Sequence, residues 1–469
     1  MIHNSSDTIC AISTPYGRGG IAVIRVSGEN AFSICHQIFK PAKSNTITNE
    51  KGQTGASIVF GRIFRGEELL DEVLVSTFRA PHSYTGENVV EISCHGSLYI
   101  QQEILKLLLA AGCRLATAGE FTQRAFLNGK LDLSQAEAVG DLIASSSAAA
   151  HRIAMQQMRG GISNELAILR DKLLHFTSLV ELELDFADED VEFADRKQLM
   201  ELALQVKTVI CRLAGSFAAG NAIKNGIPVA IVGETNAGKS TLLNRLLHDD
   251  KAIVSDIHGT TRDAIEDTVV IGGLMFRFID TAGIRKTFDA IEQLGIDRTF
   301  QKIDQATIVL WVIDLTSDTE EFESLSEELT SRSEGKKLIL ILNKADKLSS
   351  DELYVKTAHH LRNGRESLVV SAKSDVDLSA LEQALIEAAD IPQIGENDVI
   401  IANMRHYEAL TLALSAIQQV ISGLENNISG DFLSQDIREC LYHLGEITGR
   451  QIGTEELLGH IFSKFCIGK

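Results

Sequence analysis

Four short segments carry residue types whose spacing suits nucleotide chemistry. The first is GETNAGKS, Gly233 to Ser240, which follows the apolar run Val229 to Val232 and precedes the helical TLLNRLL. A strand, a glycine-bearing loop and a helix in that order make a phosphate cradle, because backbone N–H groups and the helix N-terminus converge on negative charge. In it, Asn236, Ala237 and Gly238 supply the turn, Lys239 supplies charge to the β and γ phosphates, and the Ser240 hydroxyl is a Mg²⁺ ligand beside Thr241. The second, Asp280-Thr281-Ala282-Gly283, ends the extended run MFRFI, so that Asp280 can reach the magnesium shell and Gly283 the γ-phosphate.

The third segment, Asn343-Lys344-Ala345-Asp346, comes straight after LILIL. An aspartate there accepts two hydrogen bonds from guanine's imino and amino groups, which adenine does not offer, so GTP is selected over ATP. The fourth, Ser371-Ala372-Lys373 after SLVV, fits the loop that supports the guanine carbonyl. Between the first and second lies Gly259-Thr260-Thr261-Arg262-Asp263, where a switch segment is expected, with Thr261 as the second Mg²⁺ hydroxyl; Ser255, Asp256, Ile257 and His258 just before it are grouped with the nucleotide-binding residues. Ile284 follows the second box where a water-orienting glutamine is expected, so help with hydrolysis must come from elsewhere; Arg262 and Arg285 are candidates for it.

These boxes need strands that end beside one another. Between Pro228 and about Asp390 strand-like runs alternate with helical patterns, which predicts βαβ units on a parallel sheet. The first hundred residues instead read as short extended runs broken by glycine, followed by a helical pattern over Leu98 to Ala111, an α+β arrangement. From about Phe121 the pattern is helical; Ile162, Leu166, Leu169, Leu173, Phe176 and Val180 make one apolar stripe, and a further helix runs from Leu199 to about Asn221. Asn225-Gly226-Ile227-Pro228 breaks the helices, and helical texture returns from Ala402, with breaks expected at Gly430-Asp431 and Thr448-Gly449. The expected fold is therefore multidomain: an N-terminal α+β domain over 1–120, a helical domain from two segments, 121–225 and 391–469, and a Ras-like P-loop GTPase domain inserted at 226–390.

The chain of 469 residues is long enough for about three domains. Its formal net charge of -20 argues against a general nucleic-acid binder, so any RNA contact must be local or shared with a partner. The acidic run Phe186 to Asp195 reads as a solvated turn or helix end in preference to a metal site. Seven cysteines without a C-x-x-C pair suit a reducing cytosol. No leader pattern or run of roughly 18 apolar residues is evident, so a soluble, cytoplasmic chain without a membrane is expected.

Beyond the nucleotide boxes, TPYGRGGIAVIRVSG, PHSYTGENVVEISCHG, AGEFTQRAFLNGKLDLSQAEAVGDLI, GTTRD and the C-terminal FSKFCIGK resemble the MnmE (TrmE) family of tRNA wobble-uridine modification GTPases, from about residue 8 to Lys469. The resemblance implies a potassium-dependent GTPase that forms a homodimer through its N-terminal domain and brings two nucleotide domains face to face. It implies potassium ligands at the Asn236 side chain, Ser255, Ile257 and Thr260, and a water-orienting catalytic glutamate at Glu292. It further implies that the N-terminal domain binds 5-formyltetrahydrofolate, as the (6S) isomer, or 5,10-methylenetetrahydrofolate, through Arg25, Glu91, Lys130 and the terminal Lys469. Residue chemistry alone would make those four ordinary ion-pairing groups. Cys466, near the folate in the family reading, is a candidate catalytic group whose role as nucleophile, redox residue or packing group stays open. The implied partner is an MnmG-type flavin (FAD) protein in a heterotetramer, and the implied reaction places an aminomethyl or carboxymethylaminomethyl group on carbon five of the wobble uridine of certain tRNAs.

Two other classes stand against this. A ribosome-assembly switch would be favoured by an appended RNA-binding module, whose usual signatures are missing from the sequence. A folate-dependent methyltransferase with a vestigial nucleotide domain would work without GTP.

Overall fold

A computed structural model describes residues 7–42, 56–185, 196–234, 236–248, 267–279, 303–317, 331–360, 367–372, 378–392, 395, 398–449 and 468. Two compact units emerge: Met1–Gly140, Gln157–Leu202 and Ser415–Lys469 in one, Asp141–Gln156 and Ala203–Leu414 in the other.

In the first unit, a seven-stranded sheet has the order β3-β4-β5-β6-β2-β1-β7, with β1 Ile9–Ile12, β2 Ile21–Ser27, β3 Phe39–Pro41, β4 Ser57–Arg65, β5 Glu68–Phe78, β6 Val89–His95 and β7 Arg114–Leu115. The expected extended runs thus all become strands, and two short edge strands join them. Alternation explains the layering. Ala22, Ile24, Val26, Val73, Val75, Val90, Ile92 and Cys94 point to one side, where they pack with Ile34 and Ile38 of helix Ala31–Ile38 and with Ile104 and Leu108 of helix Leu98–Ala110. The other face carries Ile21 and Ile58, each 70% exposed, with Phe60 at 48% and Leu74 at 46%. In the same unit, helix Gly161–Asp185 packs against helix Gly430–Thr448, so sequence segments from either side of the nucleotide motifs meet. The predicted stripe is its buried face: Ile162, Leu166, Leu169, Leu173 and Val180 are buried, and Phe176 is half-buried.

One ion network ties the start of helix Glu120–Leu127 to the sheet. Glu120 accepts from Arg114 Nη2 at 2.7 Å and Arg124 Nη2 at 3.1 Å, and also from the Thr117 backbone N–H at 2.8 Å. Arg124 in turn reaches Glu87, which takes the Ser27 hydroxyl at 2.7 Å. Burial raises the Glu120 pKa, but these donors outweigh it and hold the carboxyl at about 2. The unfolded chain therefore binds this proton first as acid is added, and the network's stabilisation is complete above about pH 4.5 and lost as pH falls toward about 2. Replacing Glu120 with Gln should destabilise the unit by about 3 kcal/mol at neutral pH, since buried Arg124 and partly exposed Arg114 lose the anion they share. It should also flatten the acid limb of the stability profile, read by denaturant unfolding; an acid limb unchanged in E120Q would remove Glu120 as its source.

The second unit holds a six-stranded sheet, order β13-β12-β11-β8-β10-β9, with β8 Ile227–Val232, β9 Asp267–Ile271, β10 Leu274–Phe278, β11 Ile308–Asp314, β12 Lys337–Asn343 and β13 Ser367–Val369. All neighbours are parallel except β9 on β10. β8, β11 and β12 are near-continuous apolar runs because both faces are covered: Val229, Ile231, Leu310, Val312, Ile339 and Ile341 meet one cluster, Ala230, Val232, Trp311, Ile313, Leu340 and Leu342 the other. The chain adds β9 and β10 on one side of β8 and β11 to β13 on the other. The order therefore reverses beside β8, where parallel sheets leave a crevice for ligands.

The expected helix from Leu199 divides into Arg196–Gly215 and Phe217–Asn225. By length and composition the stretch Arg196–Asn225 passes as a membrane span, which the sequence reading did not anticipate. Yet its second half is a packing element: Gly220 lies where a Cβ would fall 2.2 Å from the Ile401 carbonyl, and Phe217 stacks on Tyr407 at 4.5 Å.

Candidate functional site

The phosphate loop begins where β8 ends. Gly233 has φ +143°, and a Cβ there would lie 2.1 Å from the Val312 carbonyl of β11, so glycine lets the loop leave against a neighbouring strand. Asn236 takes φ +65°, a left-handed conformation that asparagine tolerates better than most side chains. Gly238 follows at φ +100°, and its carbonyl accepts the Leu242 N–H at 2.9 Å, opening helix Lys239–His248. Leu242, Leu243, Leu246 and Leu247 bury that helix on the sheet and hold its positive N-terminal end at the loop. The Lys239 ammonium donates to the Gly233 and Glu234 carbonyls, each at 2.6 Å, across the loop.

Asn343, at the end of β12, joins this loop to the opposite wall. Its Nδ2 donates to the Ala237 carbonyl at 2.7 Å, and its Oδ1 accepts the Ala372 N–H at 3.0 Å. Three of the sequence segments are thereby tied together by one buried amide. Ser371 Oγ donates to Asp346 Oδ1 at 2.8 Å, fixing the carboxylate assigned to base reading. Gly238, Thr241, Asn343, Lys344, Asp346, Lys347 and Ala372 line a cleft of about 230 Å³.

Sequence reasoning missed Asp314, the last residue of β11. Its carboxylate pairs with the Lys344 ammonium and accepts from the Thr316 N–H at 2.9 Å and the Thr316 hydroxyl at 2.6 Å. Burial opposes its ionisation, but Lys344 and Thr316 outweigh burial, and its pKa lies below the ordinary carboxylate value. The available signal was an acid closing an otherwise apolar strand, IVLWVID, in register with Asn343.

Ser255, Asp256, Ile257, His258, Gly259, Thr260 and Thr261 lie outside the described residues, as do Asp280, Thr281, Ala282, Gly283, Glu292, Lys373, Cys466 and Lys469. The same holds for Arg262, Ile284, Arg285 and the acidic run 186–195. Ile279, immediately before Asp280, donates its N–H to Val229 O at 3.0 Å, so β10 leads toward the end of β8.

In the first unit, Arg25 and Glu91 face each other across β2 and β6 and form an ion pair at 2.8 Å. The Arg25 guanidinium sits 5.1 Å from the Tyr84 ring centre and 5.6 Å from that of Phe121. Tyr84 is bonded to Thr122 at 2.9 Å, and burial, the largest influence on its phenol, raises its pKa. Lys130 donates to the Pro81 carbonyl at 3.0 Å. Gly468 comes back to this unit from the far end of the chain: its carbonyl accepts the Ser13 hydroxyl at 2.9 Å, and its φ of +100° places a Cβ position 2.1 Å from Ile12 O.

A parallel sheet with a phosphate loop after its central strand, and an aspartate-bearing loop two strands away bonded to it, defines a Ras-like P-loop GTPase. Residues 8–130 match the family model of the GTP-binding protein TrmE N-terminus, and 133–466 that of the MnmE helical domain. A tRNA modification GTPase MnmE of Bacteroides fragilis is 60% identical over 468 residues, 99% of this chain and 100% of that protein. Its counterpart in Flavobacterium johnsoniae is 54% identical over 468 residues, covering 99% and 100%. Among solved structures, an Aquifex aeolicus Era variant bound to GDP.AlF4- is 25% identical, covers 40% of this chain and 66% of its own, with a TM-score of 0.28. The chain belongs to the MnmE family of tRNA modification GTPases, and it is a GTP hydrolase that acts in tRNA modification.

Proposed function

We propose that the chain couples potassium-dependent GTP hydrolysis to modification of carbon five of the wobble uridine, with a tetrahydrofolate one-carbon donor and an MnmG-type flavin partner. The observation that carries this reading is the full-length match to MnmE proteins, which embraces the N-terminal domain and C-terminal tail as well as the nucleotide cleft. Domain ranges of 1–120, 121–225, 226–390 and 391–469 and a cytoplasmic location belong to the same proposal.

In the cleft, Asp346 reads the guanine edge, Ala372 and Ser371 support the base side, and the loop N–H groups with Lys239 hold the phosphates. Ser240, in the first turn of a helix whose amides favour the phosphate, would hold Mg²⁺ through its hydroxyl, with Thr261 and Asp280 assigned from the sequence as the further oxygen ligands. Asn236, exposed and in a left-handed backbone conformation, is suited to present an amide oxygen to potassium with Ser255, Ile257 and Thr260. A bound potassium ion would add positive charge where the transition state gains negative charge. Glu292 orients the attacking water.

Arg25 fits a folate site, since its guanidinium is held by Glu91 and flanked by the rings of Tyr84 and Phe121, an environment suited to a planar pterin. Lys130 and Lys469 supply further positive charge. The exposed Ile21, Ile58, Phe60 and Leu74 on the open sheet face support homodimerisation through the N-terminal domain. Contact with tRNA is shared with the partner, in keeping with the net charge of -20.

Nucleoside analysis of wobble uridines in cells lacking the protein tests the whole reading: the carbon-five substituent should disappear and return on complementation. Unchanged wobble uridines would sink it. Deletion of Cys466 to Lys469 should leave potassium-stimulated hydrolysis within about twofold of wild type while folate binding weakens and modification falls at least tenfold, a size set by loss of one charged contact and one anchoring bond. The hydrogen bond from Ser13 to Gly468 supports this role for the tail. Cys466→Ser then divides the roles: lost modification with retained folate binding indicates sulfur chemistry, and full activity indicates packing. A truncated protein that binds folate and modifies tRNA at the wild-type rate removes the tail from the site.

A further inference from the structure

Asp314 does not line the cleft, yet it grips a residue that does. Lys344 follows the strand β12 with φ +64°, a left-handed backbone that fixes the origin of its side chain. The far end is fixed as well, because its ammonium is bonded to Asp314 Oδ2. Asp314 is itself held: Thr316 N and Oγ both donate to its other carboxylate oxygen, and the Ser317 N–H and hydroxyl donate to its carbonyl at 3.1 and 2.8 Å. Leu315 N donates to the Asn343 carbonyl at 3.1 Å, so this turn is locked to the strand that carries the base-reading loop.

We propose that Asp314 is a positioning residue for the guanine base, anchoring the Lys344 ammonium so that the aliphatic stem of Lys344 stands as a preformed wall of the cleft. The inference rests on the reading of this cleft as the guanine site. A lysine stem with four rotatable bonds is costly to immobilise when a ligand binds, and one tethered at both ends has already lost that freedom. The tether also keeps the ammonium, which is strongly hydrated, away from the face that a planar purine would cover, leaving methylene groups to meet it.

Titration with a fluorescent GDP tests this in wild type, Asp314→Asn, Lys344→Met and the double variant. Met keeps an unbranched apolar stem and loses the charge. Each single change should weaken GDP binding about three- to tenfold, the scale of ordering one long side chain. The double variant should be no weaker than the weaker single one, since Asp314 acts only through Lys344. In hydrolysis assays KM should rise by more than kcat falls, as for loss of binding shared by ground and transition states. Additive losses in the double variant, or wild-type GDP affinity in Asp314→Asn, overturn the proposal. Should Asp314→Asn fail to fold, Lys344→Met decides alone, and wild-type affinity in it is equally fatal. Asp346→Asn, titrated with GDP and XDP, tests the underlying site separately: an unaltered preference between the two bases removes the guanine site, whereas a shift toward XDP beside an inert Asp314→Asn removes only the positioning role.

Discussion

Gly238→Ala should lower guanine-nucleotide affinity by on the order of 10³-fold, the sum of a left-handed backbone forced on an L side chain and two buried hydrogen bonds broken. The geometry leaves little room for relaxation. A Cβ on Gly238 would lie 2.1 Å from Asn343 Nδ2, at φ +100°. Asn343 is 2% exposed and bonded on both ends of its amide, so it must give up Ala237 O, Ala372 N or both. Moving it would detach the phosphate loop from the loop that carries Ser371, and Ser371 holds Asp346. Phosphate and base contacts are therefore expected to fail together. Gly335→Ala is the control, because Gly335 has φ +80° with no described atom within 4 Å of a Cβ position; it should cost stability and leave affinity alone. Calorimetric or fluorescent-GDP titration reads both. Near-wild-type affinity in Gly238→Ala would show that Asn343 does not couple the two loops.

The exchange of potassium for sodium should slow GTP hydrolysis by roughly 10² to 10⁴, approaching the 10³ to 10⁵ that an arginine finger contributes. The proposed site uses the side-chain amide of Asn236, an exposed residue with φ +65° in the phosphate loop. Asn236→Ala should then hydrolyse GTP slowly in both salts, with GDP affinity changed far less than the rate. Glu292→Ala should lose rate in both salts while still binding GTP, the pattern of a group used only in the transition state. Equal initial rates in the two salts, measured at saturating GTP, would exclude potassium from the mechanism.

Sequence by itself pointed to a GTPase cleft and gave the order of the elements beneath it. Phosphate loops and base-reading loops are local: a few residues at fixed spacing after an apolar run dictate both backbone path and donor set, so Gly233 to Ser240 and Asn343 to Asp346 were legible as they stand. The extended N-terminal runs broken by glycine and the apolar stripe from Ile162 to Val180 were legible for the same reason, since they depend on local punctuation and on a period of about 3.6 residues. The division of the Leu199 helix at Ser216 was not, because it answers to Ile401 and Tyr407, far along the chain.

Tertiary structure alone decided what each motif residue touches. Asn343 read as one letter of a guanine box, yet its amide bonds Ala237 and Ala372, 106 and 29 positions away. Arg25 and Glu91, which residue chemistry read as ion-pairing groups without naming their partners, meet because β2 and β6 pair antiparallel in a register that sets them opposite. Glu120, inside the AGEFTQRAFLNGK block, was given no role; its carboxyl is held at about 2 by Arg114 and by Arg124, one turn along its own helix, and only the fold links Arg124 to Glu87, 37 positions away. Asp314 and Lys344 joined for the same reason, through strands β11 and β12 aligned in parallel. Local patterns fix backbone form because steric and hydrogen-bonding limits act over a few residues. Partners across strands are chosen by the register of distant segments, and no spacing along the chain encodes that register.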